Sequence, residues 1–165
     1  MIRTFVSLGS NLGDRLAYLR KAVFALGRGP RTMVVGTSQV YQTVPVEVEG
    51  EQPDYLNCVV ELECGLPAIE LLRYCQGIEA ALGREKKGER APRTLDIDVL
   101  LFGEETIAEP DLLVPHAGVT RAFNLVALAD LDASLYIPER GTVRELLKRA
   151  EGGGIKTFGE AEELC

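Results

Sequence analysis

The chain has 165 residues, 46% of them hydrophobic and 26% charged, with a formal net charge of −7, a length and composition that suit one domain with a real core. The acidic balance argues against broad binding to nucleic acid or to an anionic membrane as the main role. No apolar run approaches the ~20 residues of a membrane helix and the N-terminus has no signal-peptide core, so a cytoplasmic enzyme is expected.

Residues 3–8 are β-rich and run into the turn Gly9-Ser10-Asn11-Leu12-Gly13-Asp14. Leu16, Leu19, Val23 and Leu26 then recur at three- and four-residue spacing, which predicts a helix that stops near Gly27. Val34, Val35, Val40, Tyr41 and Thr43 make residues 33–43 β-forming, with Gly36 marking a bulge. Residues 44–54 carry two prolines, one glycine and several carboxylates. That loop is longer than the usual ~4–6 residues, and such loops tend to be functional.

Residues 55–64 alternate, with Leu56, Cys58, Val60, Leu62 and Cys64 on one side and Tyr55, Asn57, Val59, Glu61 and Glu63 on the other. Pro67 opens a second helix whose apolar stripe is Ile69, Leu72, Ile78 and Leu82 and whose end is Gly83. A basic loop, 84–93, leads to a strand at 95–102, a turn at Gly103-Glu104 and a short return through Thr106-Ile107. Residues Asp111 to His116 read as extended, Val119 to Leu131 as a third helix and Val143 to Ala150 as a fourth. The order β-α-β-β-α-β resembles the split βαβ arrangement. The predicted fold class is therefore α+β: a ferredoxin-like βαββαβ core with a mainly antiparallel sheet and appended C-terminal helices, forming one domain over 1–165. Glycines 152–154 and the acidic end after Ile155 make 152–165 read as a loosely attached tail.

The chemistry centres on Asp96 and Asp98. Two residues apart on a strand, they leave one face, while Ile97, Val99 and Leu101 form the opposite, apolar one. Carboxylates about 6.6 Å apart along a strand, at ~3.3 Å per residue, repel unless water or a cation lies between them. Magnesium fits, because it is held by one or two carboxylates and completes its shell with water and phosphate oxygens. Arg84, Lys86, Lys87, Arg90 and Arg93, five basic residues set among two acidic ones, supply phosphate partners. Salt bridges to two aspartates account for only part of that set, so an outside anion is the better explanation.

The Gly9–Asp14 turn has neither P-loop spacing nor the dinucleotide fingerprint, and Asp14 repels phosphate. A tight turn with Asp14 capping the helix is the better reading. Tyr55 and Asn57 share a strand face at the mouth of the long loop, offering a flat apolar surface and a two-way amide for a planar heterocycle. Phe123, at the start of the third helix, can supply a second ring. His116 is the single histidine and alone makes neither a triad nor a zinc site. In its loop it reads equally as a phosphate donor or a structural group. Gln76 and Glu79 share a helix face that would ordinarily be solvent-facing. Cys58, Cys64, Cys75 and Cys165 form no CxxC pair, so buried free thiols are expected rather than a disulfide framework.

Taken in order, Leu8-Gly-Ser-Asn-Leu-Gly-Asp14, the Tyr41-Gln-Thr43 strand end, Gln52-Pro-Asp-Tyr-Leu-Asn57, Gly83-Arg84, Pro92-Arg-Thr-Leu-Asp-Ile-Asp98 and Val114-Pro-His116 resemble the hydroxymethyl-dihydropterin pyrophosphokinase family. The Pro-Arg-Thr-Leu-Asp-Ile-Asp string is the specific one. The resemblance implies ATP-dependent pyrophosphoryl transfer to 6-hydroxymethyl-7,8-dihydropterin in folate biosynthesis, giving AMP and the pterin diphosphate. It implies that Asp96 and Asp98 hold two magnesium ions and, with Arg84 and Arg93, form the catalytic set. Gln76, Glu79, Lys86, Arg90, His116 and Arg121 would position ATP, contact its phosphates or close the basic loop. Tyr55 and Phe123 would stack the pterin, Asn57 would read its amide edge, and the backbone at Thr43, Val44 and Val46 would read the rest. Family members often carry a tryptophan in the basic loop, and this chain has none. The expected partners are those two small molecules, with no nucleic acid and no membrane, and the expected state is a monomer. The rival is a non-catalytic ferredoxin-like module binding a metabolite or RNA. Such a module wants a basic surface, which the net charge and the two aspartates oppose.

Overall fold

The computed structural model describes residues 1–45, 52–83, 94–150, 155–159 and 164. Its elements are β1 (Ile2–Ser10), α1 (Arg15–Gly27), β2 (Thr32–Thr37), β3 (Val40–Thr43), β4 (Tyr55–Cys64), α2 (Ala68–Ala81), β5 (Asp96–Phe102), β6 (Ile107–Ala108), β7 (Leu113–Val114), α3 (Ala122–Asp132), β8 (Tyr136–Ile137), β9 (Gly141–Thr142), α4 (Val143–Arg149) and β10 (Ile155–Gly159). The main sheet runs β10-β3-β4-β1-β5 with β2 also pairing β4, and every pairing is antiparallel. The fold is thus mixed, an antiparallel sheet with four described helices. No described helix is long and apolar enough to cross a membrane.

Alternation along β4 builds the first core. Leu56, Cys58, Val60, Leu62 and Cys64 are all buried together with Leu19, Val23 and Leu26 of α1 and Leu71, Leu72 and Cys75 of α2. Each fully buried leucine contributes roughly 1.5–3 kcal/mol, so the apolar period of β4 decides which face the two helices cover. Burial pushes the Cys58 thiol up to about 12, and the described cysteines Cys58, Cys64 and Cys75 are free and buried. Cys165 lies outside the described residues. Asp14 caps α1 by accepting from the Ala17 N–H at 3.1 Å, so the glycine turn serves the helix start as its sequence suggests.

A second core forms on the other face of the sheet, from Phe5, Tyr41, Val59, Leu100 and Leu101 with Leu125 and Leu128 of α3 and Val143 of α4. Leu101 departs from expectation. The β1–β5 register shifts between Phe5 and Val6, so Leu100 is an extra residue and Leu101 turns away from the Ile97 and Val99 side. The bulge expected at Gly36 is present as a register shift between Val34 and Gly36. The β-forming stretch 33–43 divides at Ser38, whose hydroxyl accepts from the Val59 N–H at 2.8 Å and so patches the interrupted ladder. The third helix begins at Ala122 instead of Val119, because residues 117–120 form a turn whose Gly118 and Val119 groups bond locally.

Where the sequence suggests a loose tail, Ile155–Gly159 pairs with β3 as an edge strand and Leu164 is 2% exposed within the first core. The β-formers Ile155, Thr157 and Phe158 explain the strand, since β3 otherwise presents an open edge.

Arg3 ties the sheet to the end of α3. Its Nε and Nη2 donate to Glu61 at 3.1 and 3.3 Å and its Nη1 to Asp132 Oδ2 at 3.0 Å, with the guanidinium 5.1 Å from the Phe5 ring centre. The Ser134 hydroxyl and then Arg3 hold the Asp132 carboxyl below its ordinary value of 3.8. A lowered folded-state value means stabilisation that is complete above the ordinary carboxylate range and lost as pH falls through the folded value. Asp132→Asn is therefore expected to melt at lower temperature than the parent at neutral pH. The gap should close as pH falls below the ordinary carboxylate range in thermal melts, and a gap independent of pH would refute the assignment.

Candidate active site

The second core stops short of one end of the sheet, and the site lies there. Along that face Phe5 and Val59 are buried, whereas Ser7, Asn57, Asp96 and Asp98 are only partly covered. Gly9 stands opposite Asn57 on one side and Asp96 on the other, and Ser7 stands opposite Asp98. Cross-strand partners project from the same face. Asn57, Gly9 and Asp96 therefore form a row across three strands, with Asp98 one pleat behind. The parity of β5 that buries Ile97 and Val99 at 0% and 2% is what turns both aspartates outward.

Asn57 Nδ2 donates to Thr43 Oγ1 at 2.6 Å, which fixes the amide's orientation and leaves its Oδ1 over Gly9. A methyl group on Gly9 would stand 3.0 Å from Asn57 Oδ1 and 3.4 Å from Tyr55 Cδ1. Glycine is required there for close approach, a role the sequence does not announce inside a strand. Gly9→Ala is expected to raise the KM of a heterocyclic substrate about tenfold, a loss near 1.4 kcal/mol, with little change in the nucleotide KM. Equal changes in both constants would place Gly9 outside the heterocycle's subsite.

Among the described residues β5 is the last strand of the sheet, and side chains and a loop bond along its outer edge. Glu79, only 3% exposed on α2, accepts from the Ile97 N–H at 2.9 Å. The solvent-facing reading of this helix face is thus corrected for Glu79, while Gln76 is exposed. The sequence signal was present as a carboxylate on the side of α2 that also carries Leu72 and Cys75. Further along the edge, the His116 N–H donates to Leu100 O at 3.0 Å. The Gly118 N–H donates to His116 Nδ1 at 3.0 Å. Nε2 therefore carries the imidazole proton, and it faces Asp98 Oδ1 at 3.6 Å, longer than a direct hydrogen bond. Asn124 secures the same loop by donating to Gly118 O at 2.8 Å. A methyl group on Gly118 would meet Arg121 Nε at 3.2 Å and His116 Nδ1 at 3.3 Å, so guanidinium and imidazole converge over that glycine.

A cleft of about 240 Å³ opens beside Asp98 and His116, walled by Leu72, Val99, Pro110 and Leu113, with Glu109 and Asp111 at its lining. Thr43, Tyr55, Asn57, Asp96, Asp98, His116 and Arg121 thus gather around one end of the sheet. Phe123 is partly buried in the first turn of α3, and Val44 is 59% exposed just beyond β3. Val46, Arg84, Lys86, Lys87, Arg90 and Arg93, with most of the long loop and all of the basic loop, lie outside the described residues. Besides Gly9, sequence reasoning passed over the Thr43 side chain, expected to act through its backbone alone.

Paired carboxylates, an imidazole, an amide and an aromatic ring are thus brought to one end of the sheet. The family described as 7,8-dihydro-6-hydroxymethylpterin-pyrophosphokinase (HPPK) matches residues 5–133. A 2-amino-4-hydroxy-6-hydroxymethyldihydropteridine pyrophosphokinase of Bacillus subtilis is 42% identical over 128 residues, covering 77% of this chain and 76% of that protein. One of Pseudomonas aeruginosa is 39% identical over 155 residues, covering 93% and 95%. The chain belongs to the HPPK family. In fold it is similar to a Plasmodium falciparum HPPK-DHPS crystallised with pteroate, at a TM-score of 0.72 and 14% identity over 90% of this chain. It spans only 44% of that longer protein.

Proposed function

We propose that this chain transfers a pyrophosphoryl group from ATP to 6-hydroxymethyl-7,8-dihydropterin, yielding AMP and the pterin diphosphate for folate biosynthesis. The observation that carries the reading is the row Asn57, Gly9, Asp96, with Asp98 and His116 behind it. It supports the reading because an amide suited to a heterocycle edge and a carboxylate pair suited to phosphate chemistry share one sheet end. The family name supports the same substrate class. The reading takes the βαββαβ order and the neighbour order of β5, β1, β4 and β3 as a ferredoxin-like core, in a single-domain, monomeric, cytoplasmic enzyme.

The donor set suits magnesium. Two carboxylates on one strand face are hard oxygen ligands, and the neighbouring imidazole, with its proton on Nε2, is a hydrogen-bond donor and not a competing ligand. Asp96 and Asp98 would hold two ions, whose contribution when bound is to neutralise phosphate charge and align the reacting oxygens. The protein's own groups do the remaining work. Thr43 and Asn57 orient the pterin edge, with the backbone at Val44 and Val46 beside them, and Tyr55 and Phe123 hold its ring. His116 presents its Nε2 proton to phosphate oxygen, and the cleft between Leu72, Val99 and Leu113 receives the base of the nucleotide. Gln76, Glu79, Lys86, Arg90 and Arg121 position ATP, while Arg84 and Arg93 take up charge that develops in the transition state.

The hydroxymethyl oxygen bonds to the β-phosphorus in line as the bond from that phosphorus to its α-bridging oxygen breaks. AMP departs with the bridging oxygen and the hydroxyl proton is released. No protein nucleophile is required. Product analysis with ATP, magnesium and the hydroxymethyl pterin tests this. Pterin-dependent AMP without free pyrophosphate is the expected result. Release of pyrophosphate would reassign the chain to nucleotidyl transfer, and ATP binding without turnover would reassign it to a binding module.

A further inference from the structure

We propose that the C-terminal strand β10 is a positioning element for the pterin subsite, acting through Arg15 on the residues that lead into Tyr55. The inference rests on the function proposed above and assigns a role to the stretch that the sequence left as a tail.

Residues 52–54 are held from three directions. Arg15, the first residue of α1, donates from Nη1 to Asp54 O at 2.9 Å. Gln42 of β3 donates from Nε2 to Asp54 Oδ2 at 2.9 Å. Asn11, fully buried after β1, donates from Nδ2 to Gln52 Oε1 at 3.2 Å and to Pro53 O at 3.3 Å. The peptide that ends on Tyr55 is thus set by groups from the turn after β1, from α1 and from β3. Two of those three depend on β10.

The Arg15 guanidinium lies over the Phe158 ring of β10, 6.0 Å from its centre, within reach of a cation–π contact. β10 also pairs Ile155 with Thr43, Lys156 with Gln42 and Thr157 with Tyr41. Those three residues of β3 are the same ones that pair with Tyr55, Leu56 and Asn57 of β4. Without β10, β3 would be a four-residue edge strand, and short edges fray. Fraying there would release the Thr43 hydroxyl from Asn57 and the Gln42 amide from Asp54. Leu164, 2% exposed in the first core, anchors the chain beyond β10. No atom of β10 needs to touch a reacting group, so the strand and Arg15 act through Tyr55, Asn57 and Thr43.

The test uses the full-length chain carrying Phe158→Ala, Arg15→Met or both, with steady-state kinetics in each substrate and an equilibrium titration with hydroxymethyl pterin. Each single variant is expected to raise the pterin KM and dissociation constant about tenfold, with kcat and the ATP KM within about twofold. The double variant should be little worse than Arg15→Met alone, because that substitution already removes the contact that Phe158→Ala breaks. Unchanged pterin binding in Phe158→Ala, equal loss for both substrates, or fully additive single effects would overturn the proposal. If the parent made no pterin-dependent AMP, the proposed function would fall. The pterin titration of parent against Phe158→Ala would still decide the positioning role.

Discussion

Asp98→Ala is expected to reduce kcat by about 10³-fold or more while leaving thermal stability within about 0.5 kcal/mol of the parent. The carboxylate is partly exposed, with 25% of its side chain open, and it lies outside both cores. Removing it therefore costs little packing. Its chemistry is another matter: the proposed reaction brings polyphosphate against this strand face, and losing half of the paired carboxylates would remove charge that the proposed divalent ions need there. The neighbouring Nε2 proton of His116 would remain but lose the anion it faces. Kinetics across a magnesium titration, with a parallel melt, measure both quantities. Near-normal rates at ordinary magnesium would remove Asp98 from the proposed metal-holding pair.

Glu79→Ala should damage both stability and rate. It removes the acceptor that the Ile97 N–H has at 2.9 Å, and a hydrogen bond to a charged group contributes about 1.5–3 kcal/mol. Ile97 lies between the two aspartates, so the edge of β5 would shift with it. A displacement near 1 Å at reacting groups costs on the order of 100-fold. Urea melts and kcat should therefore fall together. Glu79→Gln, which keeps an acceptor oxygen, should recover most of the stability. A Glu79→Ala variant stable to within 0.5 kcal/mol, on the order expected for an exposed site, would show that this carboxylate does not hold the strand edge.

The legible parts of the fold are those where one local pattern decides. Alternation places β4 at Tyr55–Cys64 because one face is buried along its whole length, and a slip by one residue would expose all five of its inward side chains. Pro67 and Gly83 bracket α2 through their own backbone limits. The parity that pairs Asp96 with Asp98 is equally local. The Leu100 bulge is not legible, since it is created by the demand of the second core for both Leu100 and Leu101. Nor is the burial of Glu79, whose partner is a strand edge 18 residues away. β10 escapes the sequence because glycines and acidic residues surround it, and only the waiting edge of β3 makes it a strand. Gly9 looks like part of a turn, and the reason for it is the Asn57 amide of another strand.

The row that joins Asn57 to Asp96 through Gly9 also acts as a ruler. Adjacent strands stand about 4.8 Å apart, so two intervals set these positions roughly 9.6 Å from one another. Neither end can drift, because the hydrogen-bonded ladder on both sides of β1 keeps the spacing. Under the proposed function, a substrate read at Asn57 and reacting beside Asp96 would be measured from its ring to its reacting oxygen. One carbon more in the hydroxymethyl arm should bind its ring normally and present its oxygen past the point of attack, making length discrimination a property of backbone pairing.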